Sequence, residues 1–361
     1  MKTTLAQQPE LQSFQPEQTI YSSSVFIERE TMYVVGGHQG RLDRSQMFSL
    51  DLSKSWSTSQ DPPFKKLSGG LATLAAPGAL TKDKKSWFII SNATAYSYNF
   101  AASSWKSLGE KYYITERRGL AAATDPDTGA IYVPNGYGGF LDGSNEMLVY
   151  NASSSDFLKE GLHPALMGRH FYAAAWAPTL KAMLMFGGGD YNTNNTNNDL
   201  YSYSPELGWS LLTTKGDIPS SRDSTCFVPA HEGRTMVLFG GMSDQGASLL
   251  DDVYLYDVES MTWKRGKNVG VVGGARYGHV CAVSDNYLIV WGGGSDGPIS
   301  NLLMVYDIEK AEWTNHYSYK PAPVNPTDLF QPSSALSLPR SNLKAAVGVL
   351  GIVVMLVIGG F

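Results

Sequence analysis

Between residues 19 and 319, hydrophobic and aromatic residues fall into short runs, each ended by Gly, Pro, Asn, Asp or Ser. Runs of this kind, rich in β-branched and aromatic residues, read as β-strands. They come in sets of four, and Ser224–Pro229, Thr235–Phe239, Val253–Asp257 and Thr262–Arg265 make one set. Three marks are fixed within it: the doublet Gly240-Gly241 after the second run, Tyr256-Asp257 in the third, and Trp263 in the fourth. The same marks recur as Gly292-Gly293, Tyr306 and Trp313, and as Gly187-Gly188, Tyr203 and Trp209. The first copy has Gly36-Gly37, Leu50-Asp51 and Trp56. Two copies are worn: Ser91-Asn92, Tyr98-Asn99 and Trp105 in one, Asn135-Gly136, Tyr150-Asn151 and Phe157 in the other.

The doublet positions are 36, 91, 135, 187, 240 and 292, a spacing of 44 to 55 residues. A repeat of about 50 residues with these marks resembles the kelch family of β-propellers. That resemblance implies an all-β fold of six blades, or seven if another worn copy is hidden in the chain. Each four-stranded blade cannot bury both faces alone, so blades stack radially into a ring. The glycines end the second strand where neighbouring blades crowd and a side chain costs space or a strained φ. Tyrosine and tryptophan supply apolar surface between blades, and the Asp after the tyrosine suits a tight turn. Ring closure is expected either by simple stacking or by Thr3–Gln18 adding a strand to the last blade.

The rest of the chain divides into a 1–18 extension, a Pro/Ser-rich stalk over 320–343 and a transmembrane segment over 344–361. The run Ala345–Phe361 carries no charge, at the short edge of what spans a bilayer. No apolar stretch marks a signal peptide in the first residues, which fits a tail anchor with a cytosolic propeller. Arg340 and Lys344 agree with that orientation. The sequons at Asn92, Asn151 and Asn194 instead suit an extracellular glycoprotein. Ser333-Ser334-Ala335 and the apolar tail also fit a GPI signal. The stalk-plus-helix layout resembles fungal membrane-anchored kelch proteins, which favours the extracellular reading.

A formal charge of −5 with no basic run argues against nucleic acid as a partner. The two cysteines, Cys226 and Cys281, have no metal spacing and are expected as buried free thiols on inner strands. Arg118, Arg169, Arg222 and Arg276 recur at steps of 51, 53 and 54 before the inner strands, with His170 and Tyr277 beside two of them. Two roles suit such arginines. Either each ties down its strand, or together they form a cationic rim for a carboxylate or acidic peptide. Loops after the doublets, including His38–Ser45, Asp190–Asn198 and Met242–Asp251, should share one face and carry recognition.

The fold resembles that of the galactose oxidase central domain, which implies copper held by two histidines and two tyrosines with a tyrosine–cysteine cross-link. No His-x-His pair, P-loop, nucleophile elbow or zinc motif is present. A mutarotase-like acid–base pair lacks a carboxylate in the first strands. The expected function is therefore non-catalytic recognition of a protein or glycan from a membrane, with no cofactor and no metal. The alternative is a galactose-oxidase-like copper or carbohydrate-active enzyme.

Overall fold

The computed structural model describes residues 14–321, apart from 28, 41, 61, 92–93, 111–118, 135–145, 191–192, 194, 244–245 and 296–302. Its strands form six blades, in each of which four antiparallel strands follow chain order outward from the centre; in blade 5 the short strand Lys215–Gly216 adds in parallel outside the fourth. The innermost strands are Ser23–Ile27, Gly78–Leu80, Ala123–Thr124, Ala173–Ala177, Cys226–Ala230 and Val280–Ser284. In blade 5 the further strands are Thr235–Phe239, Val253–Asp257 and Thr262–Arg265, as the sequence pattern predicts. The stalk from residue 322 onward and the apolar segment fall in a separate unit, 322–361, and lie outside the described residues. Among the described residues no helix is long and apolar enough to cross a membrane.

The repeat marks act between strands. Tyr203, Tyr256 and Tyr306 of the third strands stand directly opposite Trp209, Trp263 and Trp313 of the fourth. The worn copies keep this pairing as Tyr98–Trp105 and Tyr150–Phe157. The indole N–H of Trp209 donates to the Gly161 carbonyl at 3.1 Å, and that of Trp313 to the Lys267 carbonyl at 2.9 Å. Each bond reaches the end of the preceding blade, so the polar atom is satisfied across a joint. The carboxylates of Asp257 and Asp307 accept the backbone N–H three residues on, at 2.7 and 3.0 Å. That contact closes the hairpin turn.

Trp56 departs from this scheme. In blade 1 the residue opposite Leu50 is Phe64, and Trp56 instead pairs in a short ribbon with Tyr317. The reason is ring closure. Tyr317 is buried, its ring lies 5.1 Å from that of Trp56, and its hydroxyl donates to the Leu52 carbonyl of blade 1 at 2.8 Å. The same hydroxyl lies 2.9 Å from Ser284 Oγ of blade 6. Residues after the last blade thus clasp the first. The four described strands of blade 6 all come from its own copy; residues 14–18 form no strand, and the rest of the Thr3–Gln18 segment lies outside the described residues.

The core lies between blades rather than on the axis. Phe88 of blade 2 stacks on Tyr150 of blade 3 at 4.6 Å, and Phe48 of blade 1 meets Trp291 of blade 6 at 4.7 Å. The cysteine expectation is overturned: Cys226 and Cys281 form a disulfide between the inner strands of blades 5 and 6, with Cα atoms 6.2 Å apart. Their separation of 55 residues is close to one repeat, so the fold itself sets equivalent inner-strand positions side by side.

Tyr317→Ala should remove the clasp and lower stability by about 3–5 kcal/mol, read as a fall in the urea midpoint. An unchanged midpoint would mean that stacking alone closes the ring.

Candidate functional site at the channel mouth

One residue per blade turns the chain into its inner strand: Tyr21, Ala75, Gly119, Phe171, Ser224 and Gly278. All six have left-handed φ values, between 47° and 72°. Each backbone N–H donates to the carbonyl of its counterpart in the preceding blade, and Tyr21 donates to Gly278, at 2.6–3.0 Å throughout. The result is a closed ring of six hydrogen bonds around the axis. A left-handed non-glycine residue costs roughly 1–2 kcal/mol. An inner backbone group left without a partner costs about as much, so the ring holds four side-chain-bearing residues in that conformation.

Two residues before each ring member comes the position of the arginines. Arg169, Arg222 and Arg276 are all buried, at 4%, 0% and 0% exposure. Each donates through Nη1 to the first glycine carbonyl of its own blade's doublet: Gly187 at 2.9 Å, Gly240 at 3.1 Å and Gly292 at 3.0 Å. The second glycine N–H then donates to the backbone carbonyl of the next blade's residue. Gly188 bonds Arg222, Gly241 bonds Arg276, and Gly293 bonds Thr19, at 2.8–3.0 Å. A Cβ on Gly187 or Gly240 would stand 2.6 or 2.7 Å from that next blade's carbonyl, so no side chain fits. Arginine and doublet are one device, joining each blade to its successor.

The cationic rim is therefore corrected: the described guanidinium groups point into the protein and serve its backbone. Arg222 is further held by Asp252 in a bidentate pair at 2.6 and 3.1 Å. Burial pushes Arg276 down to about 10, which leaves it charged at neutral pH. Arg118 lies outside the described residues, and two positions before Gly119 the sequence has Arg117.

The side chains that do reach the mouth come from the ring position and the residue before it. His170 and Tyr277 are among them, both partly exposed. Sequence reasoning missed Tyr21, Phe171 and Asp223. The rings of Tyr21 and Phe171, from opposite blades, lie across the mouth 4.9 Å apart, and the Tyr21 hydroxyl is 3.1 Å from Ser224 Oγ. Gly119 and Gly278 make room for them, since a Cβ there would meet the Phe171 or Tyr21 ring at 2.7–2.8 Å. The signal that could have found them is the register two residues after each arginine. In the first copy Thr19 stands in that place and hides it.

The short ribbons Arg169–His170 with Gly189–Asp190, and Arg276–Tyr277 with Gly294–Ser295, tie the mouth to the loops after the doublets. Asp223 is bridged to Met242 in the same way. Between these elements of blades 4 and 5 lies a cleft of about 360 Å³, lined by Tyr21, His170, Phe171, Asp190, Asp223 and Met242 among others. On the opposite face the channel opens as a cavity of about 430 Å³ with largely apolar walls, including Phe26, Leu80, Trp176 and Val228. Among the described residues no group of three or more His, Cys, Asp or Glu side chains is placed to hold a metal ion. Tyr277 and His279 have Tyr-x-His spacing, but Tyr277 faces Tyr21 while His279 is buried against Phe239.

Neither ring nitrogen of His279 has a well-formed hydrogen bond. Burial, with the Arg276 guanidinium nearby, pushes its pKa down to about 3, against a contact with the Phe239 backbone. The unfolded chain therefore binds the extra proton first, near pH 6.5, and stability is lost as pH falls from there towards 3. His279→Leu should flatten the decline in melting temperature between pH 6.5 and 4; an equally steep decline would place the acid sensitivity elsewhere. Arg222→Ala strands the Asp252 carboxylate and should cost about 3–5 kcal/mol in chemical denaturation. A surface arginine would cost almost nothing.

A family model described as "KLHDC2/KLHL20/DRC7 Kelch-repeats domain" matches residues 172–333, covering the last three blades. Acyl-CoA-binding domain-containing protein 5 of Arabidopsis thaliana is 36% identical over 116 residues, 32% of this chain and 17% of that protein. Host cell factor 2 of Homo sapiens is 30% identical over 125 residues, 30% of this chain and 15% of that protein. Leucine-zipper-like transcriptional regulator 1 of Homo sapiens is 26% identical over 187 residues, covering 48% and 21%. The chain spans less than a quarter of the length of these relatives. The family-model match over the last three blades, together with the recurring doublets, arginines and Tyr–Trp pairs, supports a kelch-repeat β-propeller.

Proposed function

We propose that this chain is a non-catalytic recognition module whose propeller binds a protein partner through the face that carries the doublet loops. The observation that carries this reading is the distribution of exposed apolar side chains. Five of the nine exposed large apolar side chains among the described residues, Leu42, Met167, Ile218, Val271 and Val272, lie on second-to-third-strand or blade-to-blade connections that end at that face, while Leu207 and Met261 lie in hairpins opposite and Leu158 and Leu211 on outermost strands. A majority of exposed apolar residues turned to one face of a rigid scaffold suits a protein interface. A glycan, which the sequence also allows as ligand, gains less from such side chains. The copper chemistry of galactose oxidase needs a cysteine free to cross-link with tyrosine, and both cysteines of this chain are bonded to each other.

The proposal includes the compartment: a membrane-held propeller facing an oxidising space. Its support is the Cys226–Cys281 disulfide, because such bonds persist outside the reducing cytosol. The sequon at Asn151 is exposed in a hairpin turn, where its side-chain oxygen caps the Ser153 N–H at 2.9 Å. Asn92 and Asn194 lie outside the described residues.

Cross-linking of the full chain in its membrane fraction, read by mass spectrometry, tests the face. Leu42→Ser with Val272→Ser should remove the recovered partners, while Leu207→Ser with Lys82→Ala on the opposite face should retain them. Equal recovery from both variants overturns the face assignment. Glycosidase treatment of the same material should shift the band, and thiol labelling without reductant should leave both cysteines unmodified; an unshifted, doubly labelled chain would place the propeller in the cytosol.

A further inference from the structure

The cleft between blades 4 and 5 has a chemistry opposite to that of a cationic rim. Asp223 lines it at 9% exposure, and its Oδ1 has no hydrogen-bond partner. Its backbone is fixed, since N–H and carbonyl both pair with Met242 at 2.9 Å, so the carboxylate cannot swing out to water by a loop movement alone. Asp190 contributes a second carboxylate, and none of the described residues lining the cleft is Lys or Arg. The Tyr21 and Phe171 rings form one wall. Gly189 forms part of the floor, where a Cβ would stand 3.2 Å from His170 Nε2 and 3.5 Å from Asp223 Oδ2. Glycine there keeps the approach to both groups open.

A buried carboxylate oxygen without a donor is costly in the empty site. Burial accordingly pushes the Asp223 carboxyl above its ordinary range, against the hydrogen bond from Ser224 and the nearby His170. A cationic donor entering the cleft removes that cost and gains from the aromatic faces. A planar guanidinium suits this combination better than an ammonium, because it can stack on a ring while donating in its own plane. We propose that the cleft receives the guanidinium of an arginine side chain from the protein partner, with Asp223 as its counter-charge and the Tyr21 and Phe171 rings as its wall. At about 360 Å³ the cleft is near the small end of ligand sites, which fits one side chain rather than an extended ligand.

This proposal rests on the reading of the doublet face as the binding face, and its test is separate from that reading. Ligand-observed NMR with the full chain would compare Nα-acetyl-arginine amide with its neutral isostere, Nα-acetyl-citrulline amide, and with Nα-acetyl-lysine amide. Arginine should bind, citrulline should bind at least on the order of tenfold more weakly, and lysine should fall between them. Asp223→Asn should weaken arginine binding by a similar factor, and so should Gly189→Val, which fills the cleft without changing its charge. Lys82→Ala, on the opposite face, should leave binding unchanged, and melting curves identify any variant that fails to fold. Equal binding of arginine and citrulline, or full binding by a folded Asp223→Asn variant, overturns the proposal. Lysine binding as tight as arginine overturns its guanidinium part. Loss of arginine binding with partners still recovered on the doublet face would sink this inference alone.

Discussion

Six backbone hydrogen bonds hold this propeller shut. Each runs from a left-handed residue of one blade to its counterpart in the blade before, and the circuit closes between Tyr21 and Gly278. A radial fold has no central core to pull its parts together, so the inner edge of every blade needs a partner for its own polar backbone. Neighbouring blades supply one another. The left-handed turn brings N–H and carbonyl into the plane of the ring, and the conformational cost is local while the gain is shared by two blades. Once those six positions are fixed, the inner strands, the channel and the loops that crowd its mouth have little freedom left.

Outside that ring the arginine–glycine device repeats the same logic with a side chain. A guanidinium has five donors, enough to hold a strand-end carbonyl and, in Arg222, a carboxylate as well. Placing such a group in the interior is tolerable only when those donors are used, and this requirement turns it away from solvent. The mouth consequently takes its charge from other residues. With the guanidiniums drawn inward, Asp223 and Asp190 set the character of the cleft, and a surface that looks cationic in the sequence becomes acidic in the fold.

The channel also has two unlike ends. Tyr21 and Phe171 lie across the mouth on the doublet face, and the clefts and loops there are arranged around these two rings. The other end opens as an apolar cavity between the first hairpins. Two fastenings act late in the chain: the disulfide joins blades 5 and 6, and the Tyr317 clasp joins blade 6 to blade 1. Both bear on the joints nearest to where the ring must close.

The six blades, their strands and the Tyr–Trp pairs were legible in the sequence, because a repeat forces equivalent residues into equivalent surroundings. The glycine doublets were legible for the same reason, since only a residue without Cβ fits beside the next blade's carbonyl. Trp56 was misjudged because closure happens once, and a unique event leaves no periodic trace. The cysteines were misjudged because their pairing depends on the radial distance between inner strands, although a separation near one repeat pointed to it. Which way an arginine faces cannot be read from its spacing; carbonyls from doublets 16 or 18 residues away draw it inward. Asp223 acquired its character only when Met242, Tyr21 and Phe171 came from three places in the chain to surround it. Local pattern determined the blades, and the packing of one blade on the next decided the chemistry of the face they share.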